Sequence, residues 1–79
     1  MKIDTDKIDD VVLALLHLTS FEGYGALRAW KGHDWDALNR LHEKGFISDP
    51  RTKTKSVILT DEGATRSTEL FNKFFGNKA

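Results

Sequence analysis

Arg51-Thr52-Lys53-Thr54-Lys55 sets three positive charges and two hydroxyls into five consecutive residues. That composition suits one chemistry, the gripping of phosphate oxygens. Arg and Lys would supply charge and the Thr hydroxyls hydrogen bonds, the contacts that position a protein along a nucleic-acid backbone. The competing reading is a solvated hairpin loop whose lysines discourage edge pairing. Upstream, Asn39 and Arg40 could read base edges from a recognition helix. Asp36 stands four residues before Arg40 and can pair with it on the helix surface, and Asp36 and Glu43 would repel a phosphate backbone. This helix face is therefore expected to be protein-contacting or solvated. Asn39, Arg40, Arg51, Lys53 and Lys55 are the candidate nucleic-acid or partner-binding residues.

Other chemistries find no support. His17, His33 and His42 are the three histidines; they lack the short ligand spacing of a zinc site, and no cysteine completes one. Late in the first helix, His17 has a simple helix-dipole reading. Gly23-Tyr24-Gly25 lacks the third glycine and preceding strand of a dinucleotide site, and no lysine follows to make a phosphate loop. Ser20, Ser48, Ser56 and Ser67 stand in no nucleophile-elbow or triad-like context. No catalytic residue, metal or cofactor is expected, and the chain does not read as an enzyme.

The elements that must carry the basic loop follow from caps and periodicity. Asp4 or Thr5 can cap a first helix, with Asp6, Asp9 and Asp10 near its positive end. Ile8, Val11, Val12, Leu15 and Leu18 form an apolar face, which Leu13 and Leu16 widen. Ser20 to His33 holds Phe21, Tyr24 and Trp30 among Gly23, Gly25 and Gly32. It reads as an irregular connection anchored by aromatic rings, with one or two helical turns over Ala26–Trp30. Asp34 caps a helix from Trp35 to Lys44 that turns Trp35, Leu38 and Leu41 inward, and Gly45 closes it. Phe46–Ser48 and Ser56–Leu59 read as the strands of a hairpin around Asp49-Pro50. Thr60 caps a last helix that has Asp61 and Glu62 in its first turn, Leu70, Phe71 and Phe74 inward, Lys73 near its end and Gly76 as its stop.

With 79 residues there is room for one domain, 1–79, and a modest core. Twelve basic residues balance 12 acidic ones. Nucleic-acid binders usually carry a basic surplus, so the balance argues mildly against autonomous DNA binding, although it leaves room for a local patch. The acidic start excludes a signal peptide, and the apolar run Val11–Leu16 is too short to span a bilayer. No membrane partner is expected. The absence of cysteine fits a cytoplasmic location.

Several blocks carry a family resemblance. They are Ile3-Asp4-Thr5-Asp6-Lys7-Ile8-Asp9, Leu13-Ala14-Leu15-Leu16, Arg28-Ala29-Trp30-Lys31-Gly32 and Asp34-Trp35-Asp36-Ala37. The match continues through Arg40-Leu41-His42-Glu43-Lys44-Gly45, Ser48-Asp49-Pro50, Lys55-Ser56-Val57 and Leu59-Thr60. Together they resemble the small bacterial proteins grouped as DUF6429, over nearly the whole chain. One departure is a connection from Ser20 to Leu27 a few residues longer than the family pattern. The resemblance implies no activity. Leu59-Thr60-Asp61-Glu62-Gly63 is also similar to the wing-to-helix junction of MarR- and PadR-like regulators, a likeness at the level of fold.

The fold expected is α+β: a small winged-helix-like domain with helices packed on a two-stranded hairpin wing. The function expected first is a non-enzymatic protein-interaction module, a regulator or inhibitor of a larger complex, by compositional analogy with anti-CRISPR proteins. The alternative is a winged-helix DNA-binding transcriptional regulator. Trp30 and Trp35 are expected to plug the core. The breadth of apolar surface on the first helix predicts a homodimer, with Leu13, Leu16 and Phe75 at its interface.

Overall fold

Asp4 starts the first helix by accepting a hydrogen bond from the Lys7 amide at 3.1 Å. The structure, a computed structural model, describes residues 1–76. Helix α1 covers Thr5–Leu18, α2 Trp35–Glu43 and α3 Asp61–Phe75; strands β1 (Phe21–Gly23), β2 (Ala26–Trp30) and β3 (Ser56–Ile58) form one antiparallel sheet. The architecture is therefore a small α+β fold with three helices and three strands, in the order β1-β2-β3.

The buried side of α1 consists of Asp9, Val12, Leu13, Ala14 and Leu16. Positions 9, 12, 13 and 16 follow the i, i+3, i+4, i+7 spacing of a single helix face. This corrects the expected face. Ile8 and Leu18 are exposed, and Val11 and Leu15 are only half-buried. Leu13 and Leu16 lie fully inside the chain's own core, so neither can meet a second subunit. Phe75, the third residue expected at a dimer contact, is 51% exposed.

The stretch expected to be irregular is a β-hairpin. Tyr24 (φ 52°) and Gly25 (φ 75°) form its two-residue turn, and paired positive φ values match the twist of the flanking strands. Phe21 pairs with Arg28 and Gly23 with Ala26. No helical turn forms over Ala26–Trp30, because Leu27 and Ala29 alternate with Arg28 and Trp30 with a period of two. Trp30 consequently points away from the helices and is 53% exposed. It is not a core plug. Trp35 is not one either: at 55% exposed it yields the inward face of α2 to Ala37, Leu38 and Leu41.

The wing region also differs from expectation. β3 pairs chiefly with β2, through Arg28↔Ile58, Ala29↔Val57 and Trp30↔Ser56. Phe46–Ser48 contributes one bridge, Ile47↔Leu59, so the sheet has three strands where a two-stranded hairpin was expected. Beyond that bridge, the Ser48 hydroxyl accepts from the Ile58 amide at 2.9 Å. Pro50 then has no amide to offer a ladder.

The junctions between elements are tightly specified. Gly45, at φ 84°, lets the Phe46 amide reach the Leu41 carbonyl and its own amide reach His42, a Schellman closure of α2. Thr60 accepts from the Gly63 amide and donates to the Gly45 carbonyl at 2.7 Å. A β-carbon on Gly63 would stand 1.8 Å from the Phe46 carbonyl oxygen, so the backbones touch as only glycine allows.

An aromatic and basic groove as candidate functional site

Directly paired residues on antiparallel strands share a face. The pair Phe21↔Arg28 therefore lies on one side of the sheet, with Trp30 two residues further along β2. Leu27, Ala29 and Val57 take the opposite side and join the core with α1, α2 and α3. Among the described residues no helix covers the outer side. An open groove of about 620 Å³ runs over it, lined by Phe21, Tyr24, Arg28 and Trp30 from the hairpin and by Lys53, Thr54, Lys55 and Ser56 from the loop and β3. Among the described residues, three aromatics and three cations line it, and no carboxylate does.

The side chains in the groove are organised by one another. Phe21 and Trp30 stack at 4.8 Å between ring centroids, tilted by 32°. Arg28 lies across the strands, donating from Nε to the Gly23 carbonyl at 3.1 Å and from Nη1 to the Ser56 hydroxyl at 3.3 Å. Its guanidinium carbon stands 5.6 Å from the centre of the Tyr24 ring, within cation–π range. Lys31 reaches the loop and donates to the Thr52 carbonyl at 2.7 Å. Thr52 and Thr54 share a hydrogen bond at 2.9 Å, and Thr54 donates to the Ser56 carbonyl. The basic loop is thus tethered at its centre, which narrows the positions open to Lys53 and Lys55.

Of the five binding residues expected from sequence, Lys53 and Lys55 meet at this groove, exposed and with no ion pair to any described residue. Arg51 is diverted. It pairs with Asp49 through Nε at 3.0 Å and Nη2 at 3.1 Å, contacts that pull the Asp49 carboxyl down to about 2 and raise the pKa of Arg51. Asn39 and Arg40 sit on α2, away from the groove lining, and Arg40 has an unexpected partner. Its Nη2 lies 2.8 Å from the Asp9 carboxylate, where a pairing with Asp36 was expected. Lys44 adds a contact to Asp9 at 2.9 Å and another to Asp6 at 3.1 Å.

Asp9 is wholly buried. Burial pushes its carboxyl up, but hydrogen bonds from Arg40 and Lys44 outweigh it and hold the group below the usual value. The bond to Asp9 raises the pKa of Arg40. Lys44 is lowered by burial but raised more strongly by Asp9 and Asp6. The outward cations of α2 are therefore already neutralised within the fold. Phe21, Tyr24 and Trp30 do not stand out in the sequence as a site because they read there as aromatic anchors of an irregular connection, and Arg28 carries no local signal of its own. The alternation from Leu27 to Trp30 was the signal that could have found them.

The histidines are spread among structural roles. His42 Nδ1 lies 3.0 Å from the Ile47 carbonyl, and His17 packs against Phe71 at 5.0 Å. Among the described residues no group of three or more His, Cys, Asp or Glu is gathered to hold a metal ion, and no helix is long and apolar enough to cross a membrane.

The family model described as a domain of unknown function, DUF6429, matches residues 4–77. The chain belongs to the DUF6429 family. A relative described as "Uncharacterized protein y4hR", from Sinorhizobium fredii (strain NBRC 101917 / NGR234), is 57% identical over 75 residues, spanning 95% of this chain and 97% of its own. No solved structure matches the chain. For this DUF6429 member the groove is the feature with the most concentrated binding chemistry.

Proposed function

We propose that this DUF6429 protein is a non-enzymatic regulator that binds nucleic acid through the outer face of its sheet. The observation that carries the reading is the groove itself: Trp30, Tyr24 and Phe21 beside Arg28, Lys53 and Lys55, with no carboxylate among its lining residues. Zero net charge weighs less once charge is resolved by place. Acidic residues crowd α1 and the start of α2, and part of their charge is matched by Arg40 and Lys44.

The loop 49–55 follows a helix and is closed by the Ile47–Leu59 bridge, as a wing would be. Binding through α2 as a recognition helix has less support, because Arg40 is held by Asp9. Kinship with MarR- or PadR-like regulators rests on the Leu59-Thr60-Asp61-Glu62-Gly63 junction alone.

Labelled oligonucleotides, single-stranded and duplex, titrated with the protein at low salt would test the reading. Binding that weakens steeply as salt rises is expected, since phosphate contacts release counterions. An absence of binding to either form at low salt contradicts it.

A protein partner is the second reading, and a separate surface favours it. Ile3, Ile8 and Val11 line an apolar groove of about 350 Å³ on α1. Leu18 and Phe75 are also exposed. Patches of this kind commonly mark protein contacts, and a two-fold homodimer would cover one. Light scattering at micromolar concentration decides it: a mass of two chains that falls to one in Ile8→Asp supports the dimer, and a mass near 9.0 kDa in the unaltered protein excludes it.

A further inference from the structure

We infer that the ligand of the sheet groove is a single-stranded nucleic acid, its bases stacked on Trp30 and Tyr24 and its backbone running along Lys53 and Lys55. The inference rests on the nucleic-acid reading above and adds the class of strand. Three observations carry it.

The first is the shape of the surface. The groove is a sheet face bearing aromatic rings, bordered by the basic loop that supplies Lys53, Thr54 and Lys55. Stacking on a side chain needs an open base face, which single strands offer and a stacked duplex hides. Helix α2, the candidate recognition helix, has its outward cations bound to Asp9 and Asp6.

The second is Tyr24. Its backbone sits at φ 52°, a left-handed conformation that Gly and Asn adopt more cheaply. The residue is 99% exposed, so burial within the fold does not offset that conformation. An aromatic residue kept in a strained, solvent-facing turn is explained by a contact outside the chain. Arg28 lies beneath it, adding a cation that a stacked base would also feel.

The third is the complementarity of charge. Lys53 and Lys55 flank the rings from a loop that Lys31 tethers to the end of β2. Rings for bases with cations alongside for phosphates is the combination that single-strand binders use. An acidic protein segment would satisfy the lysines but leave the paired rings Phe21 and Trp30 with no planar group to stack against.

The test is fluorescence anisotropy with labelled oligothymidylate of about 12 nucleotides, within the length single-strand sites cover, against a duplex of equal length and polyglutamate. The single strand should bind most tightly. In a Trp35→Phe background the remaining Trp30 emission should be quenched on binding. Trp30→Ala and Tyr24→Asn should each lower affinity about tenfold, the effect of losing one stacked base. Tyr24→Asn keeps the experiment decisive, since Asn relieves the turn and should melt no lower than the parent. Equal affinity for duplex, unchanged by Trp30→Ala, overturns the single-strand inference and leaves the nucleic-acid reading standing. Binding of polyglutamate without either nucleic acid, or no binding at all, overturns both.

Discussion

The Arg40 guanidinium closes on the Asp9 carboxylate from 31 positions along the chain, with its Nε 2.9 Å from both oxygens. This joins α1 to α2 through a carboxylate that has no access to water. Such a group is tolerated only with matched charge and hydrogen bonds, and Lys44 completes the set. The same contact removes Arg40 from the surface chemistry of α2. The proposed binding surface is accordingly the sheet face, where Lys53 and Lys55 have no ion pair to any described residue.

Asp9→Ala should destabilise the protein by about 2–3 kcal/mol. Breaking a buried pair costs about 3–5 kcal/mol when the stranded charge stays buried. Here the Arg40 and Lys44 side chains are roughly a third exposed and can rehydrate, so the lower figure applies. Chemical denaturation would measure it. A loss below about 0.5 kcal/mol, typical of surface changes, would show that Asp9 does not join the helices.

Acid should destabilise the protein over two pH ranges. Burial lowers the His33 pKa below its usual 6.5, so the folded state favours the neutral ring. Its stabilising share is present above that value and fades as pH falls through the lowered one. For Asp9, held below 3.8, the contribution is full above the ordinary aspartate value and is lost as pH drops through the folded one. Asp49 titrates near 2 but is surface-paired and adds little. Melting temperature should decline gently below about pH 6.5 and steeply below about pH 4. The steep limb should flatten in Asp9→Asn, and an unchanged limb would contradict the assignment.

Gly63→Ala should cost about 2–3 kcal/mol, in the range of overpacked sites, because the new methyl would meet the Phe46 carbonyl, a backbone atom with no rotamer to change. Thermal melting is the readout. A variant that melts like the parent would mean that α3 can move away from Phe46 freely.

Caps and closures were legible in the sequence because they depend on neighbours. Asp34, Thr60 and Gly45 each cap or close a helix through contacts within a few residues. Asp9 was not legible as a buried group. Near a helix start an aspartate is explained by the dipole, and only its phase with Val12, Leu13 and Leu16 shows that it belongs to the buried stripe. The hairpin was hidden for a related reason: its turn carries Tyr24-Gly25, without the Asn-Gly signal that marks such turns. Trp30 followed, since a ring assigned to a loop has no face of the sheet to be placed on. Which residues share the groove depends on strand pairing between positions 28 and 58, information that no local pattern contains.

The salt dependence of single-strand binding tests the central claim most directly, measured for the parent and for a Lys53→Ala, Lys55→Ala double variant. Each phosphate contact on a single strand contributes about 0.7 to the slope of log affinity against log salt. The variant should fold like the parent and show a slope shallower by about 1.4. An identical slope in the two proteins, or binding that ignores salt altogether, would contradict a role for the sheet groove in holding a phosphate backbone.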